Sequence, residues 1–86
     1  MSLSRSLAIE LAPIRVNAVA PGVARSPLWA KLPSDAQQDM YEAVAAASPL
    51  GRVIEAEDVA RVYVGLMEQE MVTGTVSVVD GGGLLV

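Results

Sequence analysis

The sequence predicts an α/β fold built around a parallel β-α-β unit, and three observations lead to that prediction. Residues 14–20 and 72–79 are apolar, strand-like runs. Residues 56–70, between them, carry an amphipathic helical pattern. Apolar residues make up 52% of the 86 residues but aromatic residues only 3%, a composition typical of layers of Val, Leu, Ile and Ala. Since parallel strands need a long crossover connection, a helical segment between the two runs fits this arrangement.

The first elements are a helix end and a strand. Residues 4–12 place leucines at four-residue spacing on one face, and Pro13 stops the helix. Residues 14–20, IRVNAVA, have apolar side chains on both faces, as in a strand of a parallel sheet. Pro21 and Gly22 end this strand, and they predict an opening at its carboxyl end.

A loop and a helix follow. Residues 21–33 contain prolines and show no clear period, so we expect an irregular loop. Residues 34–47 are expected to form a helix, in which Ser34 and Gln37 stand at capping-box spacing. Pro49 ends it, because a residue before proline is pushed out of helical dihedrals.

The second half predicts the crossover helix and the last strand. Residues 56–70 carry an apolar stripe, of which Val59, Val62 and Leu66 are expected to lie in the core. Acidic residues crowd the helix start, where the helix dipole favours anions. The stripe consists of Val59, Val62, Tyr63, Leu66 and Met67. Residues 72–79 are rich in β-branched side chains and predict a strand. We expect residues 1–86 to form a single, partial domain.

Composition and charge exclude several classes of function. The chain has no Cys and no His, which excludes thiolate metal sites, disulfides and His-dependent triads, and we expect no metal. The net charge is −4 and the six basic residues do not cluster, so no nucleic-acid partner is expected. No apolar run approaches the ~18 residues of a membrane span, and Glu10 and Pro13 interrupt any signal-peptide core, so we expect a cytoplasmic protein without a membrane partner.

Five short segments together cover nearly the whole chain. They are RSLAIELA, IRVNAVAPG, PLGR at 49–52, EDVA at 57–60 and TGTVSVVDGG at 73–82. In this order, they resemble the C-terminal third of a short-chain dehydrogenase/reductase. The resemblance implies part of a doubly wound, Rossmann-like sheet that binds NAD or NADP.

The resemblance also assigns a cofactor role to the first turn. Pro21, Gly22 and Val23 resemble the turn whose backbone meets the nicotinamide carboxamide, and Ser26 stands where a threonine commonly reaches the cofactor. The plain alternatives stay open. Pro21-Gly22 can be no more than a strand-ending turn, since Gly permits dihedrals that other residues avoid. Ser26 can equally cap a turn before Pro27.

Residues 27–48 resemble the variable lid over the substrate. Leu28, Trp29 and Leu32 would then line an apolar substrate pocket. In a chain of this length, however, we favour a core or interface role for these three side chains. The segment TGTVSVV resembles the last, edge strand of the family, which in many members packs at a subunit interface.

The catalytic part of the family pattern is not found in this sequence. A Gly-rich turn between a first strand and a helix is missing, because Gly81–Gly83 follow the last strand. A Tyr with a Lys four residues later is missing as well. The residue four positions after Tyr41 is Ala45, and the residue four positions after Tyr63 is Met67. We therefore assign no catalytic residue and expect the chain to be inactive and to bind no nucleotide by itself.

Three functional hypotheses follow. The first is part of an NAD(P)-dependent oxidoreductase that transfers a hydride between the nicotinamide and a carbonyl or alcohol. The second is a non-catalytic module that binds a partner or forms a homo-oligomer through exposed strand edges or the C-terminal strand. The third is a degenerate relic that folds poorly.

Overall fold

The computed structural model describes residues 2–86 and contains a two-stranded parallel sheet with helices around it. Strands β1 (Ala18–Pro21) and β2 (Val76–Val79) pair in the register Ala18↔Val76 to Pro21↔Val79. The predicted α/β class with a parallel β-α-β unit is confirmed. In chain order the elements are α1 (Ser2–Glu10), β1 (Ala18–Pro21), a 3₁₀ turn (Pro27–Trp29), α2 (Ser34–Ala47), α3 (Ala56–Glu68), β2 (Val76–Val79) and a second 3₁₀ turn (Gly83–Leu85).

Both strands are shorter than the predicted runs 14–20 and 72–79. The segments before them are joined by irregular hydrogen bonds: Val16 N–H donates to Thr73 Oγ1 at 3.1 Å, and Gly74 N–H donates to Val16 O at 2.7 Å. Gly74 has a φ of +73°, which takes this segment out of the extended conformation. The regular ladder therefore begins only at Ala18 and Val76.

The start of α2 differs from the predicted capping box. Pro33 is the cap residue and no side chain caps this end; Gln37 Nε2 donates to Leu32 O at 2.7 Å instead. A side chain does cap α3, where Glu55 N–H donates to Asp58 Oδ2 at 2.8 Å. The Ser34–Gln37 prediction was wrong because Ser34 already lies inside the helix, where its hydroxyl cannot reach the first free N–H groups.

The apolar stripe of α3 is only half-buried. Val59, Val62 and Leu66, the residues expected in the core, are half-buried, and Tyr63 and Met67 on the same stripe are 48% and 70% exposed. The expected core role of Val59, Val62 and Leu66 therefore holds only in part. A sheet of two strands is too narrow to cover the whole face of a helix about 10 Å wide, since strands lie about 4.8 Å apart.

The chain exposes far more surface than its mass predicts. Its accessible surface is 6212 Å², whereas a folded monomer of 9.0 kDa exposes about 4,900 Å². Its radius of gyration is 15.6 Å, against about 12 Å for a compact chain of this length. The buried apolar side chains are Ala8, Tyr41, Val53 and Ile54. The described chain also leaves large apolar side chains exposed, such as Ile9 at 81% and Met71 at 93%.

Candidate functional site

The carboxyl end of β1 opens at Pro21 and Gly22, beside the end of β2. Gly22 N–H donates to Val79 O at 2.9 Å and so continues the ladder past the strand. A Cβ atom at Gly22 would lie 2.9 Å from Asp80 Cβ, closer than side chains tolerate. Glycine is required here by the close approach of the two chain segments, and Gly22 has no positive φ.

Two backbone groups at this turn have no partner in the described chain. Backbone groups alternate in direction along a strand, and the N–H groups of Ala18 and Gly22 donate towards β2. The C=O of Pro21, the last strand residue, therefore faces away from β2, and no described residue accepts from Val23 N–H just past the strand. An acceptor and a donor are thus available at the carboxyl edge of a parallel sheet, which is where open α/β sheets bind ligands.

The segment after β2 is an ordered turn organised by Asp80. Its Oδ1 accepts from Gly82 N–H at 2.9 Å and its Oδ2 from Leu84 N–H at 3.0 Å. Gly81 and Gly82 have φ of +64° and +88°, the left-handed region that favours glycine. The run of glycines is therefore held by the carboxylate in front of it.

Gly81 also joins this turn to the loop between α2 and α3. Its carbonyl accepts from the Ser48 hydroxyl at 2.9 Å and from Leu50 N–H at 3.1 Å. Ser48 is buried, and the resemblance assigned no role to it. Nothing in its local spacing marks this residue, because its partner lies 33 positions away.

A cleft of about 480 Å³ lies between the turn at Gly22, the end of α2 and the C-terminal segment. Its walls are mostly apolar and are lined by Val23, Val44, Ala47, Ile54, Leu84 and Val86. The cleft therefore adjoins the open backbone groups and offers space for an apolar group next to them.

The residues predicted as lid or cofactor contacts come shortly after the turn at Gly22 in the sequence. Ser26 Oγ accepts from Leu28 N–H at 3.3 Å and caps the 3₁₀ turn, which is the plain alternative weighed above; its O–H remains available as a donor. Trp29 is half-buried and donates Nε1–H to Ala24 O at 3.1 Å. Leu28 is 75% exposed and Leu32 39%, so the described chain does not bury them in a core.

A bidentate ion pair stands at the start of α3. Arg52 donates to both carboxylate oxygens of Asp58, at 2.9 and 3.0 Å. The hydrogen bond from Arg52, with that from Glu55 N–H, lowers the pKa of Asp58 to about 2. Asp58 is thus a fixed anion at neutral pH and is occupied by structural partners.

No group of three or more potential metal ligands occurs in the part of the chain that the structure describes. Within the same residues, no helix has both the length and the apolar character needed to cross a bilayer.

Comparison with known proteins places the sequence in a family of oxidoreductases. The family model described as enoyl-(acyl carrier protein) reductase matches residues 1–83. The chain is 44% identical over 82 residues to the short-chain dehydrogenase/reductase ATR9 of Stachybotrys chlorohalonatus, covering 95% of this chain and 32% of that protein. It is 42% identical over 86 residues to the 3-oxoacyl-[acyl-carrier-protein] reductase FabG of Thermotoga maritima, covering 95% and 33%. The chain therefore spans about a third of the length of these curated relatives.

Solved structures give the same result for the fold. A small-chain dehydrogenase in complex with NADPH superposes with a TM-score of 0.93 at 40% identity, covering 99% of this chain and 39% of that one. The reductase/Diels-Alderase MalC from Malbranchea aurantiaca superposes with a TM-score of 0.91 at 35% identity, covering 99% and 33%.

Proposed function

This chain belongs to the short-chain dehydrogenase/reductase family, and we propose that it forms the nicotinamide-facing wall of an NAD(P)-dependent oxidoreductase. The observation that carries the proposal is the open pair of backbone groups at Pro21 and Val23. A primary carboxamide has an NH₂ donor and an oxygen acceptor, and this pair offers the complementary acceptor and donor. The Ser26 hydroxyl would supply a second donor on the same side.

The residues of this chain bind and orient in this proposal, while the nucleotide supplies the hydride. The sequence has no Tyr-x-x-x-Lys pair, so the acid and base groups would come from outside these 86 residues. Two backbone hydrogen bonds contribute about 1–3 kcal/mol, whereas a millimolar dissociation constant needs about 4 kcal/mol. We therefore expect NAD or NADP to bind the chain by itself only very weakly.

The apolar side chains beyond Ser26 would cover the substrate. Leu28, Trp29 and Leu32 lie on the segment that leads from the open turn to α2, and Leu28 is 75% exposed in the chain alone. The cleft at Val44 and Ala47 offers a further apolar surface. These contacts suit an uncharged, carbon-rich group next to the reacting carbonyl or alcohol.

A titration with two nucleotides tests the wall directly. Amide chemical shifts are followed while NADPH, or 2′-phospho-ADP-ribose as the matched ligand without nicotinamide, is added to millimolar concentration. We expect NADPH alone to shift the amides of Val23 and Ser26, and Ser26→Ala to weaken that response. Equal shifts with both nucleotides, or shifts that centre on α3, would contradict the proposed carboxamide contact.

A hydride-transfer assay tests whether the acid and base groups lie outside these residues. The purified chain is mixed with NADH or NADPH and a panel of carbonyl substrates, and oxidation of the nucleotide is recorded. We expect no turnover. Turnover by these 86 residues would show that the acid and base groups lie within them.

Self-association is the second candidate function, and the outer edge of β2 favours it. The backbone groups of Val76 and Val78 face away from β1, because those of Ser77 and Val79 face it. Residues 71–79, MVTGTVSVV, contain no charge and no proline, the features that normally protect an edge strand from pairing. The exposed surface exceeds that of a compact monomer by about 1,300 Å², more than the ~800 Å² that one partner contributes to a standard interface.

Sedimentation and light scattering at micromolar concentration test this edge. We propose a homodimer or larger assembly, and Val78→Lys, which places a charge on the edge, should return it to a monomer. Val64→Lys is the matched control, since Val64 has a similar exposure (51% against 49%) but lies on α3. A monomeric parent chain, or dissociation by the control variant as well, would overturn the proposal.

A further inference from the structure

We propose that Arg25 is a positioning residue that fixes α2 over the rest of the fold, through a cluster formed by Arg25, Tyr41 and Glu55. Arg25 Nε donates to Glu55 Oε1 at 2.9 Å. Its Cζ atom lies 4.5 Å from the centroid of the Tyr41 ring. One guanidinium therefore joins the loop after β1, the middle of α2 and the residue in front of α3. The proposal goes beyond the nicotinamide wall and does not depend on nucleotide binding.

The backbone of Arg25 is itself held in place. Arg25 N–H donates to Ile54 O at 3.0 Å, next to the parallel bridge between Ala24 and Ile54. Ile54 is buried, so this short ladder is anchored in the small core. The guanidinium thus extends towards α2 from a fixed position.

The helix α2 has few other anchors. Tyr41 is its one buried residue, and its first turn is held only by local contacts, from Gln37 Nε2 to Leu32 O and from Ala36 N–H to Asp35 Oδ1. At the far end, the Ser48 hydroxyl bonds to Gly81 just beyond the helix. The contact between Arg25 and Tyr41 is therefore the side-chain attachment in the middle of a 14-residue helix.

The two contacts of Arg25 differ in kind. The ion pair with Glu55 is close to half-exposed on both sides, at 46% and 49%, and such pairs contribute little by themselves. The contact with Tyr41 places the guanidinium carbon over a buried ring, and a cation–π interaction strengthens as its partners are withdrawn from water. Glu55 orients the guanidinium, and Tyr41 receives the stabilising contact. When the cluster opens, α2 loses its central anchor next to the cleft at Val44 and Ala47.

Hydrogen exchange of the intact chain tests this assignment, segment by segment. In Arg25→Ala we expect the amides in the second half of α2 to exchange about tenfold faster or more, a change of about 1.4 kcal/mol in local opening. The amides of α3 should stay within about twofold. The matched control is Arg61→Ala, which removes another Arg–Glu pair, Arg61 with Glu57 at 3.5 Å, and should leave α2 unchanged.

Two further variants keep the test decisive if Arg25→Ala does not fold. Arg25→Lys keeps the charge but loses the planar group that lies on the ring, so α2 should exchange at an intermediate rate. Tyr41→Leu should reproduce the loss, and adding Arg25→Lys to it should produce almost no further acceleration. Equal acceleration of α2 and α3, an unchanged α2 in both Arg25 variants, or additive effects of the two substitutions would overturn the proposal.

Discussion

Asn17 holds Thr75 by two hydrogen bonds across the start of the sheet. Its Oδ1 accepts from Thr75 N–H at 3.1 Å and from the Thr75 hydroxyl at 2.7 Å. On its other side, Asn17 Nδ2 donates to Val72 O at 2.9 Å. One amide side chain therefore supplies hydrogen-bond partners to the backbone in front of β2. These bonds set the register in which β2 meets β1.

Replacing Asn17 should weaken the whole fold. Asn17→Ala leaves Val72 O and Thr75 N–H without these partners, and we expect the free energy of unfolding to fall by about 1–3 kcal/mol. Denaturant unfolding measures the change. Gln38→Ala is the control, because it removes an exposed bond to Glu42 within α2 and should cost less than about 0.5 kcal/mol. Equal losses in both variants would contradict the role assigned to Asn17.

Gly81 should be more sensitive to substitution than Gly51 or Gly65. An added Cβ would contact Ser48 Oγ, and the φ of +64° is strained for any side chain. We expect Gly81→Ala to lower stability by more than the roughly 1 kcal/mol that a left-handed conformation alone costs. Thermal or denaturant unfolding gives the value.

Two glycine variants separate the causes of that loss. Gly51→Ala introduces only strain, since φ is +77° but no atom lies within 4 Å of the added Cβ. Gly65→Ala introduces neither backbone strain nor a close contact. Because Gly65 lies inside α3, where alanine is favoured over glycine, this variant should stabilise the chain by about 0.5–1 kcal/mol. If Gly81→Ala and Gly51→Ala cost the same, the contact with Ser48 carries no energy.

The ion pair of Asp58 should give the stability a specific acid dependence. Its pKa is lowered to about 2 from an ordinary value of 3.8 by the hydrogen bonds from Arg52 and from Glu55 N–H. A group whose pKa is lower in the folded state stabilises the fold above its unfolded pKa and loses that contribution as protonation proceeds. The loss should therefore occur between pH 4 and pH 2, and stability should fall with decreasing pH in this window.

Asp58→Asn should remove this part of the pH dependence. Unfolding free energies measured between pH 5 and pH 2 should fall less steeply in the variant than in the parent chain. Glu57→Gln is the control at the neighbouring position, where the carboxylate is 82% exposed. Identical acid profiles of Asp58→Asn and the parent chain would contradict the lowered pKa.

The order of elements could be predicted because periodicity is local, whereas the strand limits could not. The residues that delay the ladder, Val16 and Asn17, bond to partners more than 50 positions away. The half-burial of Leu66 was equally out of reach, since it depends on how many strands lie beneath the helix. Local patterns report which face is apolar, but the neighbours decide how far that face is covered.

The candidate site divides in the same way. Pro21-Gly22 could be recognised because a strand pattern ends there and the surrounding segment resembles a known turn. The cluster of Arg25, Tyr41 and Glu55 could not be recognised, because 16 and 14 positions separate its members and no periodicity links them. Only the fold brings these three side chains together.

Arg15 should stabilise α3 at its carboxyl end. Its guanidinium donates from Nη1 to Leu66 O at 2.8 Å and from Nη2 to Met67 O at 3.1 Å, in the last turn of the helix. Leu66 O also accepts from Gln69 N–H at 3.3 Å. A cation here also opposes the negative end of the helix dipole. We expect Arg15→Ala to cost about 1–2 kcal/mol and to increase amide exchange in the last turn of α3 first. Arg5→Ala, an exposed position in α1, is the control. If the last turn of α3 is no more labile in Arg15→Ala than in Arg5→Ala, these two hydrogen bonds do not stabilise the helix end.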